Sequence, residues 1–178
     1  MSRDPYDILA SRAAESAASH VEYMRSTTKG DTPIEQLLFT ALRAVIAYGG
    51  VTVKDIYFAH DEGHLGRLKA DADYKEDSIF IRTQVQVGNW RVDFLLDAPV
   101  LNDAGVIDHW RQLVIECDGH DFHERTKEQA AKDRSRDRAA HLGKMTVFRF
   151  TGAELWRDPW ACAKQVCDWA FAVRWRQI

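Results

Sequence analysis

Three acidic residues sit inside apolar runs, where a carboxylate is costly to keep. Asp93 lies in Trp90-Arg91-Val92-Asp93-Phe94-Leu95-Leu96, and Glu116 and Asp118 lie in Gln112-Leu113-Val114-Ile115-Glu116-Cys117-Asp118. Both runs have the period of two expected of strands. In the first, Trp90, Val92, Phe94 and Leu96 are expected on one face, with Arg91, Asp93 and Leu95 on the other. In the second, Leu113, Ile115 and Cys117 share a face, and Gln112, Val114, Glu116 and Asp118 share the opposite one. Glu116 and Asp118 are then same-side neighbours roughly 6–7 Å apart, and Asp93 can face them if the two strands pair. Carboxylates clustered in this way repel unless a cation or hydrogen bonds compensate. Asp and Glu oxygens suit a hard ion such as Mg²⁺ or Mn²⁺. Such ions serve phosphodiester hydrolysis by activating water and neutralising charge on the phosphoryl group. The alternatives stay open: Asp93 satisfied by Arg91 or a backbone amide, and Glu116 as half of an ordinary ion pair.

A fourth acid, Glu35, falls on the same helical stripe as Leu38, Phe39, Leu42 and Ile46. A Glu on a core-facing stripe needs a partner. It also stands three residues after Thr32, where a capping-box Glu reaches back to the helix start. The local pattern leaves both roles open.

The elements that must position these residues follow from punctuation and period. Asp4 to Met24 is Ala-rich and helix-prone, and Ser26 to Gly30 reads as a linker. Thr32 and Pro33 open a helix that runs to about Tyr48 and stops at Gly49-Gly50. Val51, Val53 and Ile56 suggest a short strand, and 61–75 reads as loop or irregular helix. Ile79 to Val87, a turn at Gly88-Asn89, and Trp90 to Leu96 form an antiparallel hairpin. Leu101 to His109 reads as a polar excursion before the strand 112–118. A charged helix from about Glu124 to Leu142, a strand from Met145 to Phe150, and a helix opened by Asp158-Pro159 complete the order. The pattern predicts an α/β fold, a mixed central sheet flanked by helices. The expected division is an N-terminal helical extension over 1–30, the main domain over 31–155, and a packed C-terminal helix over 156–178. Trp156, Trp160, Trp169 and Trp175 are expected to pack that last helix.

Bulk composition narrows the classes. The 178 residues suit one domain, and 46% hydrophobic residues supply a core without disulfides or structural metal. A formal net charge of -3 argues against a histone-like basic binder but leaves room for a local basic patch. Three cysteines, Cys117, Cys162 and Cys167, lack a paired ligand spacing and predict free thiols in a reducing compartment. With no apolar signal core and no long apolar span, a cytoplasmic protein without a membrane partner is expected.

The ordered set of these motifs resembles the PD-(D/E)xK nuclease superfamily, and within it the small endonuclease-like domains related to very-short-patch repair enzymes. The run 90–96 and Leu113-Val114-Ile115-Glu116-Cys117-Asp118-Gly119-His120 carry the resemblance. Thr32-Pro33-Ile34-Glu35, Gln84, Asp133, Arg136, Asp137 and Val147-Phe148-Arg149-Phe150 support it, over roughly residues 32–152. The resemblance implies a restriction-endonuclease-like core and a metal-dependent DNA endonuclease. In that reading Asp93 and Glu116 bind Mg²⁺ or Mn²⁺, Glu35 contributes from the helix, and metal-activated water attacks a DNA phosphodiester. The family's third motif ends in Lys two residues after the Glu, where this chain has Asp118. The basic group must then come from elsewhere, or the domain binds nucleic acid or a partner protein without cutting.

Further candidates complete the catalytic set. Lys127 is expected to replace the missing lysine, because it shares a helical stripe with Ala131, Arg134, Arg138 and Leu142 that would face the sheet. Gln84 is its rival for the polar role. His120 and His123, at the end of the third strand, could serve proton transfer or phosphate contact. His60 and His64 have a zinc-compatible spacing but no further ligand, and read as structural. Lys132, Arg134 and Arg138 on the charged helix are candidate contacts to DNA phosphate. Monomer and dimer both remain open.

Overall fold

The computed structural model describes residues 5–28, 30–48, 56–59, 66–67, 78–119 and 127–172; for 5–8, 56, 57, 59, 127–130, 132 and 133 it describes the backbone only. Helix α1 spans Pro5–Thr27 and is largely exposed. Its end is tied to the next helix by Arg43, whose Nη1 donates to the Met24 carbonyl at 3.0 Å and to Thr27 Oγ1 at 2.9 Å. Helix α2 spans Pro33–Tyr48. Pro33 loses nothing there, because the first amides of a helix have no intrahelical acceptor. Leu38, Phe39, Leu42 and Val45 form its buried stripe, each at most 1% exposed.

The strands are β1 (Ile56–Ala59), β2 (Ile79–Val87), β3 (Trp90–Leu101), β4 (Ile107–Asp118) and β5 (Thr146–Thr151). They form one five-stranded sheet in the order β1-β2-β3-β4-β5. The strands β2, β3 and β4 are an antiparallel meander, while β1 runs parallel to β2 and β5 parallel to β4. A parallel neighbour requires a crossover, and helix α3 (Lys127–Leu142) lies between β4 and β5 in the chain. Helices α4 (Gly152–Arg157) and α5 (Pro159–Phe171) follow. On one side of the sheet Phe94, Leu96, Leu113, Ile115 and Phe150 pack with α2 and α5. On the other, Trp90, Val92, Leu95 and Val114 pack with Ala140 of α3. The result is a mixed sheet flanked by helices, as the period changes predict. No helix among the described residues is long and apolar enough to cross a membrane.

Several local expectations change. Trp90 and Val92 do not share a face with Phe94 and Leu96; they pack on the α3 side with Leu95. The same switch occurs in β2, where Ile79 and Ile81 join the α2 core and Val85 and Val87 pack on the α3 side. Between them stands Gln84 with φ 54°. A left-handed residue inside a strand breaks the simple alternation, and the added twist turns the paired strand with it. The polar excursion after Leu96 is instead the far end of a longer hairpin, with Ala98 paired to Arg111 and Val100 to His109. Asn102 closes that hairpin, its Oδ1 accepting from the Ala104 and Val106 amides at 3.0 Å each. Helix α4 was not expected; Thr151 and Glu154 start it with a reciprocal capping box. Trp156 and Trp160 are exposed, at 66% and 41%, so they do not pack the last helix. Trp169 does pack, with the Arg111 guanidinium 4.2 Å from its ring centroid. Trp175 lies outside the described residues.

Candidate active site

Packing of α2 on the sheet brings Glu35 to the strands. Phe39 and Phe94 stack at 6.0 Å and are both essentially fully buried, and burying a side chain of this size contributes about 1.5–3 kcal/mol. One turn before Phe39, Glu35 is 5% exposed. Its Oε1 accepts from the Thr32 hydroxyl at 2.8 Å, and its Oε2 accepts from the Asp31 amide at 3.0 Å and from Gln84 Nε2 at 2.6 Å. The two roles left open for this residue coincide. It caps α2, and it reaches the sheet at Gln84.

The register lines up the other candidates. Thr83 pairs with Phe94 and Val85 with Val92, so Gln84 falls opposite Asp93. Phe94 pairs with Ile115, and one residue further along the antiparallel ladder Asp93 falls opposite Glu116. Glu116 in turn pairs with Arg149. Gln84, Asp93, Glu116 and Arg149 therefore form one row across β2 to β5, at strand spacings of about 4.8 Å.

Asp93 Oδ2 accepts a 2.7 Å hydrogen bond from the Cys117 amide. Burial raises the Asp93 carboxyl to about 6; the Cys117 bond opposes this, and the negative charges of Glu35 and Glu116 add to it. Arg91 lowers it least, and that guanidinium is engaged with Asp31 at 2.8 Å. Glu116 differs. Its Oε2 accepts from Arg149 Nε at 2.8 Å, and Arg136 Nη1 lies 4.0 Å from its Oε1. Arg149 Nη2 also donates to Asp137 Oδ1 at 2.5 Å. Burial works against the charge on Arg149, but the hydrogen bonds to Asp137 and Glu116 outweigh it and raise its pKa. Both open alternatives are thus present: a backbone amide on Asp93 and an ion pair on Glu116.

Among the described residues no group of three or more His, Cys, Asp or Glu side chains forms a ready set of metal ligands. The chemistry of the donor set still fits a hard cation. Asp93 and Glu116 bring carboxylates from facing positions, Glu35 lies close enough to act on Asp93, and the buried Gln84 Oε1 lacks a hydrogen-bond partner. All are oxygen donors, which is what Mg²⁺ and Mn²⁺ take.

The remaining candidates distribute unevenly. Asp118 ends β4 opposite Thr151 and is half-buried. Lys127 opens α3, with its side chain outside the described residues. The stripe expected to turn it toward the sheet is exposed at Ala131, Arg134, Arg138 and Leu142, whereas Ala140 is buried and Arg136 half-buried. The sheet-facing side of α3 among the described side chains is therefore that of Arg136 and Ala140, not the stripe of Ala131, Arg134, Arg138 and Leu142 on which Lys127 was expected to face the sheet. Arg134 and Arg138 are free to meet solvent; the Lys132 side chain, His120, His123, His60 and His64 lie outside the described residues. Cys117 packs partly against the α2-side core, and burial pushes its thiol well above the ordinary range. Sequence reasoning missed Arg149 as a site residue. Its signal was a cation between Phe148 and Phe150 in an apolar strand, but its partner follows only from the parallel register.

Comparison with family models, with curated proteins and with solved structures finds no match.

Proposed function

We propose that this chain is a metal-dependent DNA endonuclease with a restriction-endonuclease-like core, as the sequence motifs suggest. The observation that carries the reading is the row Gln84–Asp93–Glu116, with Glu35 reaching it from α2. Asp93 is the telling member. A carboxyl raised to about 6 by burial and like charges is one whose ionised form the surrounding protein leaves under-compensated. Perturbed carboxylates of this kind concentrate at functional sites.

In this reading Asp93 and Glu116 hold Mg²⁺ or Mn²⁺, and Gln84 Oε1 and Glu35 complete the oxygen set. The ion would supply water activation and charge neutralisation at the phosphoryl group. The chain's own residues do the rest. The Cys117 amide fixes the Asp93 carboxylate, Thr32 and Asp31 fix Glu35, and Gln84 links the helix to the row. Arg134 and Arg138, on the exposed face of α3 opposite Arg136, would meet DNA phosphate only outside the row, orienting a duplex without reading its sequence.

Purified protein is expected to nick plasmid DNA with Mg²⁺ or Mn²⁺, to stop on addition of chelator, and to lose cutting in Glu116→Ala. Equal cutting by that variant would reject the reading. A second reading has its own support: with Glu116 already engaged by Arg149 and Asp118 in the usual lysine position, the domain binds nucleic acid or a partner protein without hydrolysis. DNA binding with no cleavage under either metal would favour it.

A further inference from the structure

We propose that Arg149 supplies the positive charge this chain lacks at Asp118, by turning from Glu116 to the scissile phosphate when a divalent cation takes Glu116. The inference rests on the nuclease reading and deepens it. Four observations meet here. Arg149 is the register partner of Glu116, on the side of it away from Asp93, so its Cα stands about one strand spacing, 4.8 Å, from that of the carboxylate residue it would serve. Its guanidinium already holds Glu116 Oε2 through Nε at 2.8 Å. A second anchor, Asp137 of α3, takes Nη2 at 2.5 Å, so the group stays tethered near the row when its bond to Glu116 is given up. Its side chain is 33% exposed, so a phosphate arriving from solvent can reach it.

The chemistry suits the post. A guanidinium presents five donors in a planar fork, and the two bonds above use two of them. Phosphate oxygens match that fork, and a fixed cation beside the developing charge is the kind of stabilisation that accelerates phosphoryl transfer. An arginine stays protonated throughout, so its role is charge and geometry, not proton transfer. Arg136, 4.0 Å from Glu116 Oε1, leaves a second cation at the carboxylate while Arg149 engages substrate.

The pair makes an opposed prediction for binding and rate. Before substrate arrives, Arg149 competes with a metal ion for Glu116. Replacing it takes away the nearer of the two cations at Glu116 and the charge meant for the phosphate together. Mn²⁺ affinity, read by isothermal titration in the absence of DNA, is expected to rise about threefold to tenfold in Arg149→Met. Single-turnover cleavage at saturating Mn²⁺ and DNA is expected to fall by about 10²-fold, the scale for loss of one charge-stabilising donor. Arg149→Lys keeps a point charge without the fork, and should cut about tenfold more slowly than the parent. A side chain needed only for packing would not tighten Mn²⁺ binding as it slows cutting. Cleavage by Arg149→Met within about twofold of the parent overturns the inference and leaves the nuclease reading standing. If Arg149→Met does not fold, Arg149→Lys decides alone, and parental rate with parental Mn²⁺ affinity overturns it. A parent protein that neither binds Mn²⁺ through Glu116 nor cuts DNA removes the nuclease reading itself, and the inference with it.

Discussion

Two aspartates on β3, four residues apart, are kept in opposite ways. Asp97 is matched: Oδ2 takes Arg82 Nη2 at 2.6 Å and Oδ1 takes Gln112 Nε2 at 2.8 Å, with the Arg82 and Asp97 side chains only 14% and 15% exposed. Asp93 has a backbone amide instead of a cation, with Glu35 and Glu116 adding unfavourable charge. The same strand therefore carries a carboxylate built into the fold and one the fold tolerates. A buried pair such as Arg82–Asp97 is a structural element whose halves depend on each other. A carboxylate surrounded by its own sign is better accounted for by something it binds.

The largest effect that would test this contrast is Asp97→Ala. Removing one half of a buried pair strips Arg82 of the carboxylate at 2.6 Å and should cost about 3–5 kcal/mol in urea unfolding. A loss below about 1 kcal/mol would place Asp97 with the ordinary surface acids.

Asp93→Asn should do the reverse in metal-free protein. Its folded-state value of about 6 lies above the ordinary aspartate value of 3.8. The folded chain thus holds this proton over the range where the unfolded chain has released it. The associated stability is full below about pH 4 and is lost as pH rises through about 6. Asn can still accept from the Cys117 amide and carries no charge. The substitution should therefore raise stability at pH 8 by about 1–2 kcal/mol, after allowance for solvent screening, and by little at pH 4. Equal destabilisation at both pH values would mean that Asp93 is a structural acid like Asp97.

The smallest effect concerns the residue opposite Asp93. Gln84 adopts φ 54°, where a Cβ is strained and glycine is not. Gln84→Gly should be more stable than Gln84→Ala by about 1 kcal/mol, against the usual order inside a strand. The usual order would mean that β2 has no left-handed residue there, and the face switch would need another cause.

Much of the architecture was legible because its signals are local. Thr32 and Pro33 mark the start of α2, Gly88-Asn89 marks the β2–β3 turn, and Asp158-Pro159 marks α5. Thr151 and Glu154 carried an equally local capping box that went unread. The switch of face at Gln84 was hidden, because strict alternation assumes that every residue in a strand is extended. The Arg149–Glu116 pair was hidden for a different reason: it depends on how a crossover of nearly thirty residues sets the β4–β5 register. The sheet-facing stripe of α3 was misjudged because its charged face gave the projection too few apolar residues to orient it. Only Ala140 on that helix is buried among residues whose side chains are described.

The most direct test of the central claim returns to Asp93, with DNA present. Asp93→Asn and the parent should be compared for single-turnover plasmid cleavage at pH 8 with saturating Mg²⁺, with folding of the variant verified by its unfolding midpoint. The nuclease account predicts a variant at least as stable as the parent whose cleavage falls by about 10²-fold or more. Cleavage at the parental rate by the folded variant would contradict it.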